Sequence, residues 1–175
     1  RGIIQSATVL RDHPWENMEV NDWNESVKPK VQGTLNMNDF FCAPEATDFF
    51  VMLSSVASIV GSASQSNYAA GNAFLEAFAH AQTQASRGIT KYITVNVGAV
   101  EGSELIAGVQ DQGIDITNTI GSVSFDEVLA ALEYGMNSHA RADHTVVQHL
   151  MHFSRDKMKA SSGPWELSDP LYDHI

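Results

Sequence analysis

Short apolar runs alternate with longer helical stretches along this chain. Residues 3 to 9 read as a buried strand. Beyond a polar loop, Asn21 or Asp22 can cap a helix to about Phe41, in which Trp23, Val27, Lys30, Thr34, Met37 and Phe41 keep helical spacing and Pro29 predicts a kink. Phe49 to Leu53 is a continuous apolar run of the kind that fills the centre of a parallel sheet, and it stops at Ser54-Ser55. Ser58 to Gln65 is expected to be loop. From Ser66 to about Ser86 the chain is rich in Ala, Leu, Phe and Glu, and Arg87-Gly88 suits a helix C-terminus. Residues 92 to 97 predict a further strand, followed by Gly98 and a loop holding Gly102. Ser124 and Glu127 form a capping box for a helix to about Asn137, Thr145 to Val147 predict a last strand, and 154 to 175 read as linker and edge. No internal repeat is present.

Strands that alternate with helices argue for an α/β fold with a parallel sheet, because parallel strands need a crossover and a helix is the usual one. At 175 residues with 43% hydrophobic content, the chain suits one domain, taken as 1 to 153 with the tail 154 to 175. Its opening at Arg1, already next to a strand, predicts an internal cut. No stretch approaches the roughly 18 apolar residues of a membrane span. Cys42 is the only cysteine, which excludes an internal disulfide and favours a reducing compartment, so a cytoplasmic location is expected. A formal charge of -11 with 10 scattered basic residues argues against a nucleic-acid partner and otherwise carries no functional weight.

The candidate chemistry lies around the central strand and the helix after it. Ser55 ends the strand, Tyr68 falls in the first turn of the helix, and Asn72 follows four residues later on the same face. In a doubly wound sheet that is where ligands bind. A phenol with an ordinary pKa near 10 serves as an acid near neutrality if a neighbouring ammonium stabilises its phenolate, and Lys30 is the natural supplier. A serine hydroxyl beside it can donate to a carbonyl oxygen as charge builds there. Taken singly these residues are weak signals: a packed tyrosine, a snorkelling lysine and a strand-end serine are commonplace. Their joint spacing is not. His149 and His152 are taken as incidental, since nothing is spaced to complete a metal site. Ala69, Ala70, Gly71 and Ala73 permit close packing against another helix or simply fit beneath the sheet. Gly98, Gly102 and Gly108 form no G-x-G-x-x-G arrangement.

The segment LSSVASIVGSASQSNYAAGNAFLEAFA, residues 53 to 79, resembles the active-site stretch of short-chain dehydrogenase/reductases, with Ser55 thirteen residues before Tyr68. Most of that superfamily carries lysine four residues after the tyrosine, whereas this chain has Asn72 there and Lys30 upstream, in VKPKVQGTLNM. That exchange is similar to the ketoreductases of polyketide and fatty acid synthases. RGIIQSATVLRD and VNVGAVEG resemble further pieces of such domains, and ATVLRD with the closing WELSDPLYDHI looks most like the fungal highly reducing synthases.

The resemblance implies a Rossmann-like doubly wound parallel sheet in partial form, lacking the N-terminal βαβ units and their Gly-rich motif. It implies NADPH-dependent reduction of a β-ketoacyl thioester carried by the phosphopantetheine of an acyl carrier protein. Tyr68 would be the proton donor, and Ser55 would position and polarise the ketone, with Ser54 its competitor. Lys30 would lower the phenol's pKa and contact the cofactor ribose, Asn72 would hold Lys30 or a relay water, and Val97 and Gly98 would border the nicotinamide. Implied partners are the other synthase domains and, across an exposed sheet edge, the missing N-terminal half or a second copy. These residues alone are expected to be inactive. The rivals are a free-standing reductase of small carbonyl compounds, disfavoured by Asn72, and a folded fragment without turnover.

Overall fold

A computed structural model describes residues 1–42, 47–86, 90–103, 122–137 and 148–150. Its elements run β1 (Gly2–Gln5), a 3-10 turn (Trp15–Asn17), α1 (Val20–Phe41), β2 (Phe49–Ser55), α2 (Ala57–Val60), α3 (Ser66–Ala85), β3 (Lys91–Val97), β4 (Ala99–Val100), β5 (Ser122–Val123), α4 (Phe125–Met136) and β6 (Gln148–Leu150). Four strands form one sheet in the order β1-β2-β3-β6, every pair parallel, and β4 and β5 form a separate parallel pair. In the central pair Phe49 lies opposite Lys91 and Ser55 opposite Val97, so both strands end at the same level.

Alternation along β2 and β3 builds two cores. Phe50, Met52 and Tyr92 pack on one face with Leu75, Phe78 and Ala79 of α3 and with Leu35 and Met37 of α1. Val51, Ile93 and Val95 pack on the other with Val123 and with Val128, Leu132 and Met136 of α4. Both faces of the strands are therefore buried, which is why they read as unbroken apolar runs rather than alternating ones. Burying each such side chain stabilises the fold by about 1.5 to 3 kcal/mol.

The sheet and helices agree with the sequence reading in kind, with differences at the ends. β1 stops at Gln5 rather than residue 9, because the Gln5 side chain turns the chain away. Its Oε1 accepts from Ala7 N at 2.9 Å, and its Nε2 donates to the Pro29 carbonyl at 3.0 Å. α1 is capped by Glu19, with Asp22 as the reciprocal partner of the capping box rather than the cap, and it continues through Pro29. Its fully buried positions are Ser26, Lys30 and Thr34, one turn apart, while Phe41 is 54% exposed. The hidden stripe of α1 is thus small and polar around one lysine. Part of the expected 58 to 65 loop is helical: Ala57–Val60 forms one turn that ends at Gly61, whose φ of 76° needs the freedom of glycine. The Ser124 and Glu127 capping box is present and opens α4. Residues 145 to 147, His152 and the tail 154 to 175 lie outside the described residues, and the last described strand is Gln148–Leu150.

Candidate active site

The C-terminal ends of β2 and β3 lie side by side, and the first turns of α3 pack against them. Ser54 and Ser55 point to different surroundings, as alternation along a strand demands. Ser54 Oγ donates to Glu76 Oε1 at 2.7 Å and approaches the Asn72 carbonyl at 3.4 Å, while Ser55 Oγ accepts from Ala57 N at 3.2 Å and faces the Tyr68 phenol. Ser55 is the serine beside the phenol. Val97 lies directly beside it in the sheet, the Val97 carbonyl accepts from Val56 N at 3.2 Å, and Gly98 follows at the end of β3.

Lys30 enters from α1. It is only 1% exposed, its Nζ donates to the Leu53 carbonyl at 3.2 Å, and it stands 5.5 Å from the centroid of the Tyr68 ring. Gly71 makes this passage possible: a Cβ there would come within 3.3 Å of Lys30 Cδ and 3.5 Å of Lys30 Cβ. Among the four small residues of α3, this one is small because a lysine stem crosses it. Burial holds the ammonium well below its ordinary range, at about 8. One of its three N–H donors is used on Leu53; the others suit hydroxyl oxygens such as those of a ribose. The residues present therefore fit the nucleotide cofactor that the sequence implies.

Burial pushes the Tyr68 phenol above its usual 10, against hydrogen bonding from Ser55 and Asn72, and the charge of Asp12 pushes it further up. The expected lowering by Lys30 is not what sets the phenol here. The ammonium lies over the ring face rather than at the hydroxyl, and desolvation dominates. Asn72, fully buried, donates from Nδ2 to the Tyr68 carbonyl at 2.8 Å, while its Oδ1, the atom that could accept from Lys30, is buried with no donor in hydrogen-bonding geometry.

Two groups near the site escaped the sequence reading. Asn67, fully buried, donates to the Arg11 carbonyl at 2.8 Å and the Asp22 carbonyl at 3.3 Å and accepts from Tyr68 N at 2.8 Å, which joins the loop after β1, the start of α1 and the start of α3. The same loop is tied to the turn before α3 by Gln65 Nε2 to Asp12 Oδ2 at 2.7 Å and by His13 N to the Ser64 carbonyl at 3.0 Å. The other group is Glu76 with its ring of donors. Neither has a signal in sequence beyond a polar residue in an apolar helix.

Comparison with known proteins gives the family. The KR domain model matches residues 1–102, more than half of the chain. The chain belongs to the KR domain family. It is 37% identical to the highly reducing polyketide synthase ltbA of Aspergillus luteorubrus over 100% of its own length and 6% of that protein, and 39% identical to the highly reducing polyketide synthase tstA of Talaromyces stipitatus over 81% of its length and 5% of that protein. The chain thus spans about a twentieth of these relatives. Among solved structures, a ketoreductase domain from the bacillaene assembly line matches 91% of the chain and 38% of its own at 28% identity, with a TM-score of 0.70. The parallel sheet with helices on both faces is accordingly the Rossmann-like fold of ketoreductases in partial form.

Proposed function

We propose that this KR domain chain carries the catalytic part of an NADPH-dependent ketoreductase that converts a carrier-bound β-ketoacyl thioester to the β-hydroxyacyl thioester. The observation that carries this reading is the convergence of Ser55, Tyr68 and Lys30 at the C-terminal ends of β2 and β3. NADPH, when bound, supplies the hydride. Ser55 Oγ orients the ketone and donates a hydrogen bond to its oxygen as negative charge develops, and the Tyr68 hydroxyl delivers a proton to that oxygen. Lys30 would hold the ribose hydroxyls and keep a positive charge beside the phenol. Asn72 fixes the first turns of α3 through the Tyr68 carbonyl. Val97 and Gly98 would line the nicotinamide side.

Residues 1 to 153 would then form the catalytic part and 154 to 175 its edge, in a cytoplasmic synthase whose acyl carrier protein presents the substrate. Among the described residues, no helix is long and apolar enough to cross a membrane. β1 is an edge strand of the described sheet and offers pairing to the preceding half of such a domain or to a second copy. The test is hydride transfer from NADPH to a diketide thioester, by this chain alone and by a chain that carries a dinucleotide-binding half before it. Turnover only in the longer chain is expected; no turnover in either would refute the reading.

Product configuration gives a separate prediction. Bacterial ketoreductases that yield the L-alcohol often carry Trp where this chain has Val60, and the opposite class carries Leu-Asp-Asp where this chain has Leu10-Arg11-Asp12. Asp12 lies close enough to Tyr68 to act on its phenol and is held by Gln65. The D-hydroxy product is expected, and chiral chromatography of the reduced diketide thioester decides it.

A further inference from the structure

Tyr68, Asn72 and Glu76 succeed one another at intervals of four on α3, so the glutamate continues the active face one turn deeper. Three elements converge on its Oε1. Ser54 Oγ at the end of β2 donates at 2.7 Å, Asn96 Nδ2 of β3 at 2.5 Å, and Ser58 Oγ of α2 makes a short contact with the same oxygen. The same donors reach Ser55 itself: its carbonyl oxygen lies 3.2 Å from Asn96 Nδ2, whose two N–H groups can serve both acceptors, and 2.6 Å from Ser58 Oγ, whose single proton is shared between that carbonyl and Glu76. Asn96 is completely buried and Ser54 nearly so. The donors bring four protons, one from each hydroxyl and two from the amide, to be divided between Glu76 Oε1 and the Ser55 carbonyl, and a carboxylate is an acceptor that offers none of its own. Charge-assisted bonds of this kind are shorter and stronger than neutral ones.

The Ser55 hydroxyl has no comparable anchor. It accepts from Ala57 N and faces the phenol, so its place depends on the backbone on either side of it, at Ser54 and at the Ser55 carbonyl. Both points lead to Glu76. The same helix carries Tyr68, so the carboxylate fixes the distance between the two groups that must meet one carbonyl oxygen.

We propose that Glu76 is a positioning residue for the reaction, holding the β2 corner so that the Ser55 hydroxyl stands in register with the Tyr68 phenol. The proposal rests on the ketoreductase reading above and adds to it a residue that touches neither substrate nor cofactor. A displacement of about 1 Å can lower turnover a hundredfold. Glu76→Gln keeps the size and one acceptor oxygen while removing the charge that draws the donors in.

The experiment is a double-mutant cycle in a complete synthase that carries these residues, with kcat, KM and melting temperature measured for E76Q, S55A and the pair. E76Q is expected to lower kcat by about ten- to a hundredfold with KM for NADPH within about twofold, and to cause no further loss in the S55A background. Losses that multiply in the double variant would overturn the proposal, as would an E76Q protein whose melting temperature falls while its kcat stays within about twofold of native. Should E76Q fail to fold, S58A removes one donor only. It is expected to lower kcat several-fold and likewise to add nothing to S55A, and a multiplied loss overturns the proposal there too. Native kcat in S55A itself would overturn the active-site reading, which separates that failure from failure of the positioning role.

Discussion

Tyr68→Phe should lower kcat by at least about a hundredfold while the domain stays folded. The change removes the only atom of that side chain with a proton to give, and the ring keeps its place against Lys30. Because burial keeps the phenol above 10, the native residue is protonated throughout the neutral range and loses its proton only in strong base. The variant leaves Ser55 Oγ without its phenol partner, a loss of about 1 to 3 kcal/mol that a stable domain survives. Steady-state kinetics on a diketide thioester beside a thermal melt decides the matter: native turnover in a folded Tyr68→Phe protein would remove Tyr68 from its role.

Lys30→Met should separate stability from activity. The folded chain holds Lys30 at about 8, against 10.5 when unfolded. Between those values the unfolded state binds more protons, so stability rises with pH across that window, and the burden of the buried charge is fully present below about 8. That depression corresponds to about 3 kcal/mol, against about 1.5 to 3 kcal/mol for the charged hydrogen bond to the Leu53 carbonyl that the variant loses. In the absence of cofactor, the methionine protein should therefore be at least as stable as the native one at pH 7, by up to about 2 kcal/mol, and the rise in native stability from pH 8 to 10.5 should be missing from it. Its turnover should collapse, because the ribose hydroxyls would lose the donor that holds them. Denaturant titrations at pH 7 and pH 10, with kinetics, test both halves. A less stable variant at pH 7 would show that the ammonium is held by more than the geometry provides.

The sequence located the candidate site residues better than the edges of the fold. Ser55, Tyr68 and Asn72 could be placed because strand alternation and helical spacing are local rules, and Lys30 stood out as a charge inside a buried stripe. What escaped depends on distant segments. Glu76 looks like a surface glutamate in a helix rich in alanine, and only Ser54, Ser58 and Asn96 make it a centre. β1 ends early because Gln5 finds Pro29, twenty-four residues away. The phenol's state also escaped, since a lysine near a tyrosine does not say whether the ammonium meets the hydroxyl or the ring face.

Lys30 and Asn72 sit on neighbouring helices, each almost wholly removed from water, with Gly71 leaving just enough room for the lysine stem between them. The resemblance described above implies a second arrangement, with the lysine on the helix of the tyrosine, at position 72. A chain with lysine at both positions would set two like charges in one poorly solvated space, and a chain with lysine at neither would lack the cation altogether. A Cβ at 71 would already press on the lysine stem at 3.3 Å, and a longer side chain would compete with it for the same space. These three positions therefore should vary as a unit: in a collection of homologous sequences, changes at 30, 71 and 72 would be inherited together, and the passage from one arrangement to the other would cross a fitness valley rather than a series of neutral steps.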